Sequence, residues 1–348
     1  MKIHFIIPKN NRGWAYPLIK WKKSFKQKEI LIDVINKPEF SLSKRADIII
    51  LTSRYYRSLY KTNGDYLKNL ENDIRIDVKK LKANNSKITY YDLSDSTGSR
   101  ELQVIELVDL FLKRQLFKDK TIYTKSHKYR PWLEDRSIFS GCNESQLNKI
   151  QLGWNLALKD YSEWPILNPN KFGFMIFKNP IYIIPNKERP ITASYRGRMK
   201  GQTVHQRKAV VNALNKLSKS NPDSFITGEI IKKKDFIKEI RPSKAAVSPF
   251  GYGEICYRDM EAFINGCILI KPSMEHLVTF PNVFIENETY VPLKWDLSNL
   301  TKTLLDVDEN YKDYHRIAKK GQDLYRDVYD NFELFYNHLN NIIQMVNK

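Results

Sequence analysis

Three charged side chains, Glu254, Arg258 and Glu261, have the types and the spacing that could do chemistry. If a helix of about 3.6 residues per turn runs from Glu254, all three lie on one face, and carboxylate, guanidinium and carboxylate stand together. Gly251 and Gly253 just before it let the backbone approach a ligand, and a helix N-terminus offers N–H donors to phosphate. An exposed, salt-bridged helix face has the same pattern. The apolar segment that follows, "CILIKP", favours a ligand pocket.

The basic loop "ASYRGRMKGQTVHQRK" is a second candidate for ligand binding. Arg196, Arg198 and Lys200 lie there with two glycines, between a predicted strand and a predicted helix. Guanidinium and ammonium groups on a flexible loop can form a cradle for phosphate. Arg196 is the first choice among them, and a solvated basic loop is the alternative.

Two aspartates, Asp92 and Asp95, lie in "YYDLSDSTGSRE", after a predicted strand and before a predicted helix. A carboxylate in such a loop could deprotonate a hydroxyl group as a general base. Aspartates that cap a turn or a helix have the same sequence signature, so that alternative stays open for each of them.

Short apolar segments bounded by polar residues predict the strands that position these candidates: "KIHFII", "ILIDVI", "ADIIILT" and "KITYYDL". Predicted helices separate them, and a further helix is predicted over 99–117. The alternation restarts at "PITASYRG" and continues through "KAAVSPFG" to "CILIKP". Alternating strands and helices predict parallel sheets with helices on both faces. Ligands bind beyond the carboxyl ends of the strands in such sheets, which is where the candidate residues lie.

The predicted fold class is therefore α/β, with two successive α/β units and a helical C-terminus. A chain of 348 residues is too long for one ordinary core. The Pro- and Asn-rich segment "EWPILNPNKFGF" is typical of a connection between domains. We therefore expect domains at residues 1–165 and 166–325, and a C-terminal helix at 326–348 that packs back on the first domain.

The composition limits the class of protein and its partners. A net charge of +19 favours polyanions such as nucleic acid, anionic lipid headgroups or phosphorylated small molecules, although lysine also serves solubility. The three cysteines are far apart, which argues against a disulfide scaffold or a zinc site, and the histidines have no metal-ligand spacing. The sequence contains no signal-like or membrane-spanning segment. We expect a cytoplasmic protein, with peripheral contact at an anionic membrane surface as an addition.

The segment "SPFGYGEICYRDMEAFINGCILIKPSMEHL" resembles the nucleotide-sugar-binding part of GT-B glycosyltransferases, especially exostosin-like enzymes and bacterial capsule or lipopolysaccharide transferases. The resemblance implies two Rossmann-like domains that face a cleft. It also implies that Glu261 binds the donor's ribose and that Glu254 and Arg258 face its sugar or phosphates. The "RG" turn at Arg196 is similar to a turn of exostosin-like enzymes. The donor-binding loop would be Gly251, Tyr252 and Gly253.

The resemblance implies a hexosyl- or pentosyltransferase of surface polysaccharide or glycoconjugate synthesis, with a nucleotide-sugar donor, a glycan or lipid-linked acceptor, no cofactor and no metal. Asp92 or Asp95 would be the acceptor base, and Glu254 is a further catalytic candidate. Six residues separate Glu254 from Glu261, whereas seven separate the two glutamates of many retaining GT-B enzymes, so the stereochemical outcome stays open. The alternatives are a basic nucleic-acid-binding protein and a catalytically silent, glycan-binding relative.

Overall fold

The protein divides into two compact units, each of which is described by itself. The first unit comprises Met1–Asp160, Leu277–Pro281 and Asn331–Lys348, and the second comprises Tyr161–His276 and Asn282–Asp330. The predicted connection at 163–174 lies outside the described residues. The computed structural model describes residues 1–60, 66–84, 86–128, 130–133, 138–162, 179–185, 188–201 and 204–347.

The strands are short, and most of them belong to two parallel sheets. Those of the first half of the chain are β1 (Lys2–Ile6), β2 (Leu31–Ile35), β3 (Ile48–Thr52), β4 (Lys87–Asp92), β5 (Leu110–Lys113), β6 (Gln115–Phe117), β7 (His127–Lys128), β8 (Ile138–Phe139) and β9 (Ile150–Leu152). Those of the second half are β10 (Ile191–Arg196), β11 (Phe225–Gly228), β12 (Ser243–Val247), β13 (Ile268–Pro272), β14 (Leu277–Thr279) and β15 (Val291–Leu293).

Helices precede or follow most of these strands, and three of them follow one another at the end of the chain. The α-helices are α1 (Tyr16–Lys20), α2 (Lys22–Gln27), α3 (Glu39–Ser43), α4 (Ser53–Leu59), α5 (Tyr66–Lys82), α6 (Val204–Ser218), α7 (Lys233–Ile240), α8 (Tyr257–Ile264), α9 (Leu300–Glu309), α10 (Tyr311–Tyr329) and α11 (Phe332–Asn347). The short 3-10 helices are Lys9–Ala15, Leu102–Glu106, Lys120–Thr124, Glu144–Lys149 and Leu156–Leu158.

The first unit is built on a six-stranded parallel sheet with the order β2-β1-β3-β4-β5-β9. All five residues of β3 are buried, because a central parallel strand is covered on both faces. Helix α11 belongs to this unit, and its Phe335 packs on Trp21 and Trp154 with ring centroids 5.4 Å apart in each pair.

The second unit repeats the arrangement with five parallel strands in the order β11-β10-β12-β13-β15. Its core joins β10, β12 and β13 to the helices α6, α9 and α10. In both sheets the chain therefore starts in an inner strand, adds one neighbour on one side and then continues on the other side. The predicted fold class, α/β with two Rossmann-like units and a helical C-terminus, is confirmed.

Two expectations about local structure are wrong. The helix predicted over 99–117 is a 3-10 turn followed by β5 and β6. Leu110–Lys113 pairs with β4, so sheet formation overrides the local helical spacing of its apolar residues. Residues 277–281, which we expected in the second domain, belong to the first unit, because β14 pairs antiparallel with β6. No helix in the described ranges has the length and apolar character that crossing a membrane requires.

Candidate functional site

A cavity of about 310 Å³ opens at the carboxyl ends of β10 and β12 in the second unit. These two neighbouring strands lie where the strand order reverses, and in open parallel sheets that position is the usual site for a ligand. The loops after Arg196 and Val247 diverge there, and helix α8 closes one side. The lining consists of Gly197, Arg198, Arg207, Ile230, Pro249, Gly251, Tyr252, Cys256, Tyr257, Arg258 and Glu261.

The loop after β12 is fixed by backbone hydrogen bonds. Phe250 N–H donates to Gln206 Oε1 at 2.8 Å, and Gly251 N–H donates to the carbonyl of Gly253 at 3.1 Å. A Cβ atom on Gly251 would lie 2.7 Å from Arg207 Nη2, so a side chain at this position would push the guanidinium aside. Gly251 and Tyr252 therefore line the cavity, as predicted. Gly253 is buried and is not part of the lining.

Helix α8 begins at Tyr257, three residues later than the prediction. Cys256 is its N-cap, and Asp259 Oδ2 accepts a hydrogen bond from the Cys256 N–H at 3.0 Å in a capping-box arrangement. Glu254 therefore precedes the helix, and it does not share a face with Arg258 and Glu261. The predicted cluster of three charged side chains is wrong, because the helix begins only after Cys256, with Asp259 in its capping box.

Glu254 is buried instead of facing the cavity. One of its oxygens, Oε1, lies 3.6 Å from His276 Nε2. The His276 ring packs edge-on against Trp295, with ring centroids 4.7 Å apart. A catalytic or donor-binding role of Glu254 is not supported by this position.

A buried ion pair holds the loop and the helix to the sheet. Asp259 Oδ2 lies 2.7 Å from Lys271 Nζ, and both side chains are fully buried. Lys271 Nζ also donates to the carbonyl of Glu254 at 2.9 Å, and Ser248 Oγ donates to Asp259 Oδ1 at 2.5 Å. Because both charges are paired and hydrogen-bonded, this network can hold the loop without leaving a charge isolated in the core.

Arg258 and Glu261, one turn apart on α8, are brought together at the cavity as predicted. The Arg258 guanidinium donates to the carbonyl of Arg196 and lies over the Tyr195 ring, 4.6 Å from its centroid. Burial raises the pKa of Glu261, and the neighbouring Arg258 and Lys233 only partly oppose this shift. The cavity thus holds a fixed guanidinium beside a carboxyl group that is harder to ionise than an exposed one.

Arg196, our first choice for binding phosphate, does not line the cavity. Its Nε and Nη2 donate to the two carboxylate oxygens of Glu239, both at 2.8 Å, and its Nη1 donates to the carbonyl of Thr227 at 2.8 Å. A bidentate pair of this kind occupies the face that a phosphate would need. Arg198 does line the cavity, whereas Lys200 is exposed on the same loop and is not part of the lining.

Arg207 is a residue that the sequence reasoning missed. It lies in the first turn of α6, its Nη1 donates to the carbonyl of Arg198 at 3.2 Å, and its guanidinium lies 6.0 Å from the centre of the Tyr252 ring. The available signal was a cation at the start of the helix that follows the basic loop. With Arg207, three guanidinium groups line the cavity: Arg198, Arg207 and Arg258.

Asp92, in the first unit, is buried at the end of β4 and is enclosed by partners. Lys113 Nζ donates to its Oδ2 at 2.9 Å, Ser99 Oγ donates to the same oxygen at 2.9 Å, and Arg57 Nη2 lies 3.5 Å from Oδ1. Burial alone would raise the pKa of Asp92, but the Lys113 and Arg57 charges hold this pKa well below its usual range. A carboxylate in this environment is a structural anion, which argues against Asp92 as an acceptor base.

Asp95 is accessible from solvent, unlike Asp92. Its Oδ1 accepts hydrogen bonds from Arg114 Nη1 at 2.9 Å and from Arg54 Nη2 at 3.1 Å. Although burial opposes it, the two guanidinium charges lower the pKa of Asp95, so the carboxylate is ionised at neutral pH. Its role as an acceptor base stays a prediction.

Within the described part of the chain, no group of three or more His, Cys, Asp or Glu side chains has the geometry to hold a metal ion. The charged side chains that line the cavity are three guanidiniums and one carboxyl group. Such a set can bind and orient a phosphorylated ligand that also carries hydroxyl groups.

Comparison with known proteins gives structural neighbours only. No protein-family model matches the sequence, and no curated protein matches it. The chain is similar to a glycosyltransferase from Rickettsia africae, at 11% identity and a TM-score of 0.51, with 100% of this chain and 98% of that one covered. It is also similar to Alr3699/HepE from Anabaena in complex with UDP, at 9% identity and a TM-score of 0.50, with 99% and 100% covered. At this identity the likeness concerns the fold, which is the GT-B type. The finer resemblance to exostosin-like or capsule enzymes stays a prediction.

Proposed function

We propose that this protein is a glycosyltransferase that moves a sugar from a nucleotide-sugar donor to a glycan or lipid-linked acceptor. The observation that carries the proposal is the cavity at the reversal of strand order in the second sheet, where three guanidinium groups and one carboxyl group converge. The fold agrees with this proposal. So does the neighbour from Anabaena, whose structure contains UDP.

The proposed chemistry follows from the charges at the cavity. When the acceptor hydroxyl attacks the sugar, the bond between sugar and diphosphate breaks, and negative charge develops on the departing diphosphate. Arg207 and Arg258, fixed by the hydrogen bonds and ring contacts described above, would stabilise this charge without large rearrangement. Arg198, at the exposed rim, would add a third positive charge.

The other lining groups suit the nucleoside. Ile230, Tyr252 and Tyr257 present exposed apolar or aromatic surface, against which a base can pack. Glu261 would accept a hydrogen bond from a ribose hydroxyl, the role that the sequence resemblance implies. We propose that no metal takes part in holding the diphosphate, and that the donor sugar is a hexose or a pentose.

Titration calorimetry with UDP, GDP and CMP tests the donor site. We expect one nucleotide, with UDP as the first candidate, to bind to the wild-type protein. Arg207→Gln should weaken this binding about tenfold to a hundredfold, because one charge-assisted hydrogen bond is lost. Arg45→Gln is the matched control, since Arg45 is an exposed arginine elsewhere in the chain.

Three outcomes would contradict the proposal: no nucleotide binds, Arg45→Gln weakens binding as much as Arg207→Gln, or the bound nucleotide sugar is never consumed with any acceptor. The nucleic-acid alternative predicts tight DNA or RNA binding that falls steeply with salt. Transfer in the synthesis of surface polysaccharide, and peripheral contact with an anionic membrane, stay predictions, and flotation with anionic vesicles would check the contact.

A further inference from the structure

In the first unit, Asp95 is held at the end of β4 by two arginines that share one of its oxygens. Arg54 and Arg114 both donate to Oδ1, and Oδ2 makes no hydrogen bond within the described part of the chain. The Asp95 side chain is 37% exposed and that of Arg54 is 28% exposed, whereas Arg114 is fully buried. A carboxylate with an unused oxygen is therefore accessible beside an accessible guanidinium.

Three cations, two of which pair with this carboxylate, lie close to the indole ring of Trp14. The Arg114 guanidinium lies 4.3 Å from the ring centroid, Lys159 Nζ lies at 4.7 Å and the Arg54 guanidinium at 5.7 Å. Trp14 itself is buried, in the 3-10 helix that follows β1. Cations held at an aromatic face lose little freedom when a ligand binds, so the arrangement is preorganised.

The guanidinium groups have more donors than partners. Two guanidiniums share one carboxylate, so this group of three side chains has a positive surplus. Nε of Arg54 and both Nε and Nη2 of Arg114 are buried without a hydrogen-bond partner in the described structure. Because these donors are enclosed, only the accessible part of Arg54 can contact a ligand. The accessible side of Arg54 is where an anion could supply negative charge.

We propose that Asp95, Arg54 and Lys159, arranged around Trp14, form a second binding site, for a sugar that carries a phosphate or a carboxylate group. Asp95 Oδ2 accepts a hydrogen bond from a sugar hydroxyl, and Arg54 with Lys159 binds the anionic group. Repulsion between the ligand's charge and Asp95 fixes the orientation, because only a hydroxyl can approach the carboxylate. The inference rests on the proposed function, since it identifies the acceptor as an acidic glycan.

Binding measurements with four small probes test this site: glucose 6-phosphate, glucuronate, glucose and inorganic phosphate. We expect at least one of the two acidic sugars to bind more tightly than glucose and than inorganic phosphate. Arg54→Gln should weaken that binding about tenfold, which corresponds to one charge-assisted hydrogen bond, and Arg54→Lys should weaken it less. Arg45→Gln, the exposed control, should leave it unchanged.

The site would be overturned if neither acidic sugar bound more tightly than both glucose and inorganic phosphate, or if Arg54→Gln and Arg45→Gln had equal effects. UDP is titrated into the same samples, and Arg54→Gln should keep the wild-type affinity for UDP. Failure of UDP to bind while the acidic sugar binds would contradict the proposed function alone. Binding of UDP without any acidic sugar would contradict this inference alone.

Discussion

The two parallel sheets share the order of their first five strands, and a buried lysine–aspartate pair lies at the carboxyl ends of each, yet the ends differ. In the first unit, Asp92 comes from the strand itself and pairs with Lys113. In the second, Asp259 comes from the helix after the strand and pairs with Lys271. The first arrangement encloses Asp92 in paired side chains, whereas the second ties a loop to the sheet and leaves a cavity beside it.

The two buried lysine–aspartate pairs therefore have different uses. Asp92 satisfies its neighbours and has no contact to spare for a ligand. Asp259 caps α8, so the helix begins late and its first turn presents Arg258 to the cavity. The element that supplies the aspartate therefore decides whether this aspartate is enclosed at the end of its own strand or holds a loop beside a cavity.

The largest expected effect comes from breaking each pair on the lysine side. Lys271→Met should lower the free energy of unfolding by about 3–5 kcal/mol, because it leaves the buried Asp259 carboxylate without its ion-pair partner. Lys113→Met should lower the free energy of unfolding by less, because Arg57 still lies 3.5 Å from Asp92. Only Lys271→Met should also abolish UDP binding, since Lys271 fixes the loop that lines the cavity. Urea unfolding and calorimetry measure the two quantities.

The exposed Lys219 provides the control, because Lys219→Met should change neither quantity. Lys271→Met in combination with Asp259→Leu removes both charges, and it should recover part of the lost stability without recovering UDP binding. If Lys113→Met weakened UDP binding as strongly as Lys271→Met, the two pairs would not have the separate uses that we assign to them.

A smaller effect concerns Arg196. The sequence predicts that Arg196 binds phosphate, whereas its contacts indicate that it positions Arg258. If Arg196 positions Arg258 through its carbonyl and is itself held by Glu239, then Arg196→Gln and Glu239→Gln should weaken UDP binding alike, by less than about tenfold. If Arg196 bound phosphate, Glu239→Gln would release it and strengthen binding. Calorimetry on the two variants, compared with Arg207→Gln, decides between these accounts.

Much of the fold could be predicted from the sequence, because strand and helix patterns are local. Apolar segments such as "ADIIILT" became buried central strands, and the loops after them are where the cavity lies. The start of α8 could not be predicted, since Glu254 and Arg258 have good helical spacing and nothing local shows that Asp259 serves as the cap. The inward position of the Asp259 side chain depends on Lys271, which lies on the strand β13.

Contacts with residues that are distant in sequence also explain why Arg196 was predicted to bind phosphate and why Arg207 was missed. Arg196 stands in a glycine-containing basic loop, which is typical of a phosphate site, but Glu239 lies far away in sequence and occupies its guanidinium. Arg207 lies within an ordinary helical pattern and reaches the cavity only because α6 starts beside the loop after β10. Charge patterns show where cations are available, whereas tertiary partners decide which of them stay available.

The smallest expected effect concerns how stability depends on pH. The contributions of Asp95, in the first unit, and Glu261, in the second, should change in opposite directions as the pH changes. The pKa of Asp95 is lowered, so its contribution to stability is present above the unfolded value of about 3.9 and is lost as the pH falls through the folded pKa. The pKa of Glu261 is raised, so its contribution is present below the unfolded value of about 4.3 and is lost as the pH rises through the folded pKa.

Asp95→Asn should therefore destabilise the protein at pH 7, and Glu261→Gln should stabilise it slightly at pH 7, because a buried carboxylate no longer has to be ionised. Both differences from the wild-type protein should shrink in acid, where the carboxyl groups are protonated in either state. Urea unfolding of the two variants between pH 3 and pH 7 measures them. If both substitutions changed the free energy of unfolding with the same sign, Arg258 would hold Glu261 as an anion, and both carboxyl groups would stabilise the protein in their ionised form.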